Sequence, residues 1–481
     1  MKILFVATEA VPFAKTGGLA DVAGSLPPAL AGLGHDVRLV MPRYACVNPK
    51  QYGLRRTAEF AVPLGSWQER CEVLEGKLGE NVTVYFINKD IYFDRAGLYQ
   101  TRKGDFTDNA ERFTFFSRSV LELCRAVDFA PDIIHTNDWQ TGLTPFFLKN
   151  YYRGAAPFEH TRSIFTIHNL GYQGNFWHWD MRYLGDAWDH FNPDGFEFWG
   201  KISFLKAGLV YSDLITTVSR TYSREIQTKE YGHGLEGVLA KRPADLFGIV
   251  NGIDYAEWDP AHDGSIAKKF TPARPGGKAD CKRQLQHKSG LRPDDVPVIG
   301  MVTRLVDQKG LDIVTEALPG IMELDSQLVI LGTGEEKYHL LLTEAAAQYP
   351  GRMSVLLKYD DLLAKAIYAG SDLFLMPSRY EPCGLSQLIS LRYGTIPVVR
   401  KTGGLTDTVQ DYNPRTGTGT GFVFKEYTPA AMLKALERAL AVYADPRKWK
   451  ALMRSCMEQD YSWESSAREY EKVYRKALKR R

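Results

Sequence analysis

Short apolar runs alternate along the whole chain with segments whose apolar residues recur at helical spacing, the pattern of open parallel α/β sheets. In the first half, residues 3–8, 37–41, 83–88, 133–136, 164–168 and 214–218 predict strands; in the second half, residues 298–303, 327–331, 353–357, 373–376, 396–399 and 421–424 do so. After the first run, Leu19, Val22, Ala23, Leu26, Leu30 and Leu33 fall on one helix face, and Gly32 and Gly34 stop that helix. Pro27 and Pro28 within it predict a kink. Near the other end, Trp463, Ala467, Tyr470, Tyr474 and Leu478 form one helical stripe with a charged outer face, followed by Lys479-Arg480-Arg481 as a solvated tail.

A length of 481 residues exceeds one ordinary core and predicts two domains. The pattern breaks near residues 247–252, where a short helix-like stretch and Arg242-Pro243 give way to Val250-Asn251-Gly252-Ile253-Asp254 and a loop-rich passage reaching about Pro297. Residues 261–280, rich in Gly, Pro, Lys and Asp, read as a mobile surface loop. Sixty Lys and Arg against 57 Asp and Glu leave a net charge of +3, which gives no electrostatic case for nucleic acid or an anionic membrane as partner. The first apolar run stops at Thr8-Glu9, too short for a secretion signal, and no stretch approaches the roughly 20 apolar residues of a membrane helix. Six scattered cysteines without a Cys-x-x-Cys pair argue against a disulfide framework or zinc site and suit a reducing cytoplasm.

The candidate chemistry starts at Lys15-Thr16-Gly17-Gly18-Leu19-Ala20-Asp21-Val22, a glycine turn between a strand and a helix. Such a turn lets backbone N–H groups meet an anion at a helix N-terminus. One copy is weak evidence, but Lys401-Thr402-Gly403-Gly404-Leu405-Thr406-Asp407 repeats it near the far end, which suggests two similar lobes facing one anionic ligand. Other predicted strands also end in polar groups: His135 to Asp138, His168-Asn169, Arg304, Gly332 to Glu335, Tyr359-Asp360 and Ser378 to Glu381. Ligands of open parallel sheets bind outside those carboxyl ends. Arg304 and Lys309 suit phosphate oxygens, though surface loops also carry idle charges. His168 also fits a satisfied core histidine, and Asp138 a helix cap. Glu381, on a turn entering a helix, suits the hydroxyls of a sugar, and Cys383 reads as a packing or contact residue. No Asp-x-Asp lies near a strand end, so a metal is not expected, and no Gly-x-Gly-x-x-Gly follows the first strand, which disfavours a dinucleotide enzyme.

These segments, with Asp108-Asn109-Ala110-Glu111-Arg112-Phe113 and His168-Asn169-Leu170-Gly171-Tyr172-Gln173-Gly174, resemble the bacterial glycogen synthase and plant starch synthase family of retaining glucosyltransferases. Val250 to Asp254, Arg304 to Gly310, Ser378 to Leu385 and Thr402 to Leu405 extend the resemblance through the second half in the family's order. The resemblance implies a GT-B fold, two Rossmann-like doubly wound domains facing a deep cleft. Because the motifs are split between the two halves, closure of the domains on the donor is expected. Residues 1–248 would form the acceptor-side domain, 249–460 the nucleotide-sugar domain, and 461–481 a helix crossing back to the first.

It further implies transfer of glucose from ADP-glucose to the non-reducing end of an α-1,4-glucan such as glycogen, with retention, without cofactor or metal. Arg304 and Lys309 would hold the diphosphate with backbone N–H groups of Gly18, Gly404 and Leu405. His168 and Asn251 would lie at the donor glucose, Glu381 at its hydroxyls with Cys383 and Gly384 close by, and Tyr359 beside the adenine. Lys15 and Asp21 would lie in the N-terminal loop, and Asp138 near the reacting carbon and the acceptor. Many members carry His where this chain has Asn137, and Ile389 stands where other retaining families place a second Glu. The rival readings are a phosphorylase, which would need a pyridoxal Schiff-base lysine, and a glucan-binding or regulatory protein of the same fold without turnover.

Overall fold

Strands buried on both faces need continuous apolar sequence, and the computed structural model, which describes residues 1–101 and 103–480, places strands on those runs. The chain divides into two compact units, Met1–Asn251 with Trp463–Arg481, and Gly252–Ser462.

The first unit holds one nine-stranded sheet. Its strands are β1 (Lys2–Val6), β2 (Asp36–Pro42), β3 (Arg55–Leu64), β4 (Trp67–Leu78), β5 (Val82–Asn88), β6 (Ile133–Asn137), β7 (Arg162–Ile167), β8 (Leu214–Thr217) and β9 (Leu246–Gly248). They lie in the order β9-β8-β7-β6-β1-β2-β5-β4-β3. The strands from β9 to β5 pair in parallel, with Ile3 opposite both Val37 and Ile133. Strands β3 and β4 add an antiparallel hairpin at one edge, closed by Gly65-Ser66 between the paired Leu64 and Trp67. Helix α1 (Gly18–Gly32) runs through Pro27 and Pro28 and buries Leu19, Val22, Ala23, Leu26 and Leu30. Helix α2 (Asn109–Ala126) is largely buried, and α3 (Arg220–Glu225) follows β8.

In the second unit β10 (Val298–Val302), β11 (Gln327–Leu331), β12 (Met353–Leu356), β13 (Leu373–Met376), β14 (Ile396–Arg400) and β15 (Phe422–Phe424) form an all-parallel sheet in the order β12-β11-β10-β13-β14-β15. Helices α4 (Leu311–Glu323), α5 (Ser386–Arg392) and α6 (Gly403–Thr408) start just beyond strand ends.

Residues 261–280 differ from the surface loop expected of their composition. Ile266 and Phe270 are buried, Tyr393 donates a hydrogen bond of 2.6 Å to Asp263, and a helix runs through Gly277–Lys288. Lys278 is itself buried, its ammonium donating to the carbonyls of Ala369 and Tyr393 and to the Thr395 hydroxyl.

The last helix, α7 (Trp463–Leu478), belongs to the first unit. It buries Trp463, Tyr470 and Tyr474, bonds the Tyr474 hydroxyl to His135 Nδ1 at 2.7 Å, and donates from Ser466 to the Val250 carbonyl. The tail beyond it is not simply solvated. Arg480 pairs with Asp245 and donates to the Asp213 carbonyl, and Arg162 donates to the carbonyl of Arg480. Arg481 lies outside the described residues.

Candidate active site

Both parallel sheets present their polar groups at strand carboxyl ends, and each set can be built from its own unit. In the first unit, the loop after β1 is organised by a carboxylate. Glu9, buried, accepts from the amide and hydroxyl of Thr16, from the Gly17 amide at 3.1 Å and from the Tyr99 hydroxyl at 2.9 Å. Those bonds aim the loop so that α1 begins at Gly18, whose N–H lies in the first helical turn and has no intrahelical acceptor. A methyl group built on Gly17 or Gly18 would meet no atom within 4 Å, so open space fronts this helix end. Lys15 and Asp21 flank it and pair with each other at 2.7 Å.

The ends of β6 and β7 form the second cluster. Asp138 does not cap the following turn: its Oδ1 accepts from the backbone N–H of His168 at 2.8 Å. Its backbone has φ +56°, a conformation costing a non-glycine residue about 1–3 kcal/mol. Burial pushes its carboxyl up to about 7, and the nearby Glu9 adds to the rise, while N–H donors from His168 and Asn169 oppose it.

Asn137 donates to the Val6 carbonyl at 3.0 Å, which turns its amide oxygen toward His168 Nε2 at 2.9 Å. That oxygen can only accept, so Nε2 of His168 carries the proton and Nδ1 is left as an acceptor. Burial lowers the His168 pKa to about 3, which keeps the ring neutral. Asn251 is buried, and its Oδ1 has no partner among the described residues.

The Asp138 carboxyl carries a pH prediction. Its value in the folded chain lies above that of the unfolded chain, so it favours folding at acid pH, and this contribution is lost as pH rises from about 3.8 to about 7. Asp138→Asn keeps an acceptor for the His168 amide and removes the titration. Urea midpoints of variant and parent are expected to agree below about pH 4 and to favour the variant at pH 8. Equal midpoints across the range would show that the carboxyl is not held out of water.

In the second unit, two strand-end loops are stitched together. The Arg379 amide donates to the Gln308 carbonyl at 2.9 Å, and Gln308 donates to the Tyr380 carbonyl. Gly310, at φ +76°, makes this approach possible, because a Cβ there would lie 2.2 Å from the Pro377 carbonyl oxygen. The result is an ion pair between a partly exposed lysine and a buried carboxylate: Lys309 Nζ reaches Glu381 Oε2 at 2.6 Å, and the same oxygen accepts from Ser378 at 2.9 Å. Arg304 stands exposed on the same loop as Lys309 and engages no carboxylate among the described residues.

The second glycine turn packs directly on this loop. Gly403 and Gly404 lie so close that a Cβ would come 2.0 Å from the Glu381 oxygen or 2.1 Å from the Cys383 oxygen. The Gly404 amide donates to the carbonyls of Glu381 and Pro382, and the Leu405 amide to that of Thr402. Both amides expected to meet the diphosphate are therefore engaged internally, and direct contact through them requires those bonds to exchange. Cys383 is buried, Gly384 has φ +75°, and Tyr359 projects with 76% of its surface exposed. Glu9, Asn137 and Ser378 lie at polar strand ends in the sequence, but nothing there assigns them individual roles at the site.

Comparison with known proteins decides the family. Residues 2–241 match the model of the starch synthase catalytic domain and residues 282–454 that of glycosyl transferases group 1. A glycogen synthase from Desulforudis audaxviator is 49% identical over 490 residues, covering 100% of this chain and 97% of that one. The chain belongs to the glycogen synthase family. A second glycogen synthase, from Syntrophotalea carbinolica, is also 49% identical and covers 99% of each chain. The catalytic domain of starch synthase IV from Arabidopsis thaliana, solved with ADP and acarbose, matches with a TM-score of 0.91 at 34% identity over 99% of both chains. A sucrose-phosphate synthase from Thermosynechococcus elongatus matches with a TM-score of 0.60 at 17% identity over 99% of this chain and 98% of its own, a likeness of fold alone. The fold is GT-B, as the two doubly wound sheets of this glycogen synthase family member indicate. Among the described residues no helix is long and apolar enough to cross a membrane.

Proposed function

We propose that this protein transfers glucose from ADP-glucose to the non-reducing end of an α-1,4-glucan, glycogen being the expected acceptor, with retention of configuration. The observation that carries the reading is the partly buried Lys309–Glu381 pair on the strand-end loops that also carry the exposed Arg304, in a chain of this family. The related plant enzyme that was solved with ADP and acarbose supports an adenosine diphosphate donor and a glucan acceptor.

The roles follow from chemistry. Breaking the bond between glucose and phosphate leaves negative charge on the diphosphate, and Arg304 with Lys309 supplies two cations to receive it. The open front of α1 offers the Gly18 N–H and a helix N-terminus for the same charge. Glu381, oriented by Lys309 and Ser378, accepts from sugar hydroxyls, with Cys383 and Gly384 forming the adjoining wall. His168 presents a neutral ring with an accepting Nδ1, and the unpartnered Oδ1 of Asn251 suits a sugar hydroxyl. Asp138 lies on the acceptor side, Lys15 and Asp21 border the diphosphate, and Tyr359 offers an exposed ring for the base.

Retention then proceeds by attack from the leaving-group side, with a diphosphate oxygen taking the acceptor's proton, so no carboxylate nucleophile is required. We place the reaction in the cytoplasm, in keeping with six free thiols. The test is incorporation of labelled glucose into glycogen from ADP-glucose and from UDP-glucose, each with and without EDTA. Strong, EDTA-insensitive incorporation from ADP-glucose is expected. Incorporation from UDP-glucose alone would overturn the base assignment, and none from either would leave a glucan-binding protein without turnover.

A further inference from the structure

In the first unit a groove of about 390 Å³ opens between α3, β9 and α7, its wall ending at Ile249, two residues before Asn251. Arg220 and Arg224 on α3 are spaced i, i+4, as are Lys472 and Lys476 on α7, so each helix offers a pair of cations to the groove. One carboxylate, Glu469, lies among them and pairs with Lys472. Four cations against one carboxylate is an excess as large as the net +3 of the whole chain.

Cations nearby are treated differently. Arg242 and Arg480 share Asp245, and Arg475 pairs with Glu471. Arg220, Arg224 and Lys476 face no carboxylate partner among the described residues, although like charges at i, i+4 weaken a helix. The floor is apolar: Val473 is buried, and the Lys476 ammonium sits 4.4 Å over the ring of Phe247.

We propose that this groove is a second ligand site that holds a small phosphate monoester carried on a sugar ring. A monoester bears about −1.5 to −2 charges near neutrality and three acceptor oxygens, which two arginines and two lysines can share. The apolar floor formed by Phe247 and Val473 suits the apolar face of a pyranose once the Lys476 ammonium leaves the Phe247 ring for the phosphate. The groove is small and the chain is otherwise nearly neutral, so an extended polyanion is not favoured.

The test is calorimetric titration of the full chain with glucose 1-phosphate, inorganic phosphate and glucose, with excess ADP present to fill the donor site. Saturable binding of the hexose phosphate is expected, weakened by added salt, tighter than that of phosphate, with none for glucose. Arg220→Glu/Arg224→Glu and, separately, Lys476→Met are expected to weaken it by about tenfold or more, on the scale of lost charge-assisted bonds. Both variants should keep their melting temperature and basal glucosyl transfer. No binding to the parent chain, or equal binding to both variants, would overturn the site. Phosphate binding as tightly as the hexose phosphate would overturn the sugar half of the assignment.

Discussion

Lys309→Ala is expected to lower kcat for glucosyl transfer by about a hundredfold or more, because one cation facing a developing anion contributes roughly 3–4 kcal/mol in a closed site. The same substitution acts on the fold. The Glu381 side chain is only 6% exposed, and its closest cation is Lys309. Removing one member of a buried pair costs about 3–5 kcal/mol, and the partial exposure of Lys309, which lets water in, places the expected loss at the lower end. The two effects separate in Lys309→Ala/Glu381→Gln, where no charge is stranded. Urea unfolding of the double variant should return most of the stability, while steady-state assays with ADP-glucose should find turnover still lost. A single variant with near-normal kcat would remove Lys309 from the reaction.

Gly404→Ala and Gly18→Ala should behave oppositely, although both alter the same short motif. At Gly404 the new methyl would sit 2.1 Å from the Cys383 oxygen and 2.5 Å from its Cα, and backbone cannot move aside cheaply. The loop carrying Glu381 would be pushed off the glycine turn, with a loss of about 3 kcal/mol or more, beyond ordinary overpacking. Poor soluble yield, or a lowered melting temperature with little turnover, is the expected result. At Gly18 the methyl meets no atom of its own unit, and alanine is the better helix former, so the fold should be unchanged or slightly firmer. Its effect should fall on the donor: a raised KM for ADP-glucose at parental stability. An unchanged KM there would show that the open space does not receive the diphosphate, and a stable, active Gly404→Ala enzyme would contradict the close loop packing.

The parallel strands were legible because each is covered on both faces and so reads as an unbroken apolar run. Strands β3 and β4 were not. One face of that hairpin meets water, so Arg55, Arg56, Glu59 and Glu75 interrupt the pattern, and its stability comes from register and cross-strand pairs such as Arg56 with Glu72. The stretch 261–280 misled for a related reason: its few anchors, Ile266, Phe270 and the buried Lys278, are too sparse to outweigh its Gly, Pro and Asp content. At the site, Lys309 and Glu381 were legible as charged residues at strand ends, but their pairing depends on two loops meeting at Gly310. The tautomer of His168 depends on which way Asn137 turns, and only the Val6 carbonyl decides that.

Helix α7 places residues 463–478 in the unit that contains Met1, while residues 252–462 form the other unit in between. During synthesis from the N-terminus, the second unit therefore has its whole sequence outside the ribosome before the first does. Until α7 emerges, His135 lacks Tyr474 and the core around β6 stays unsealed. The unit that is made first is completed last.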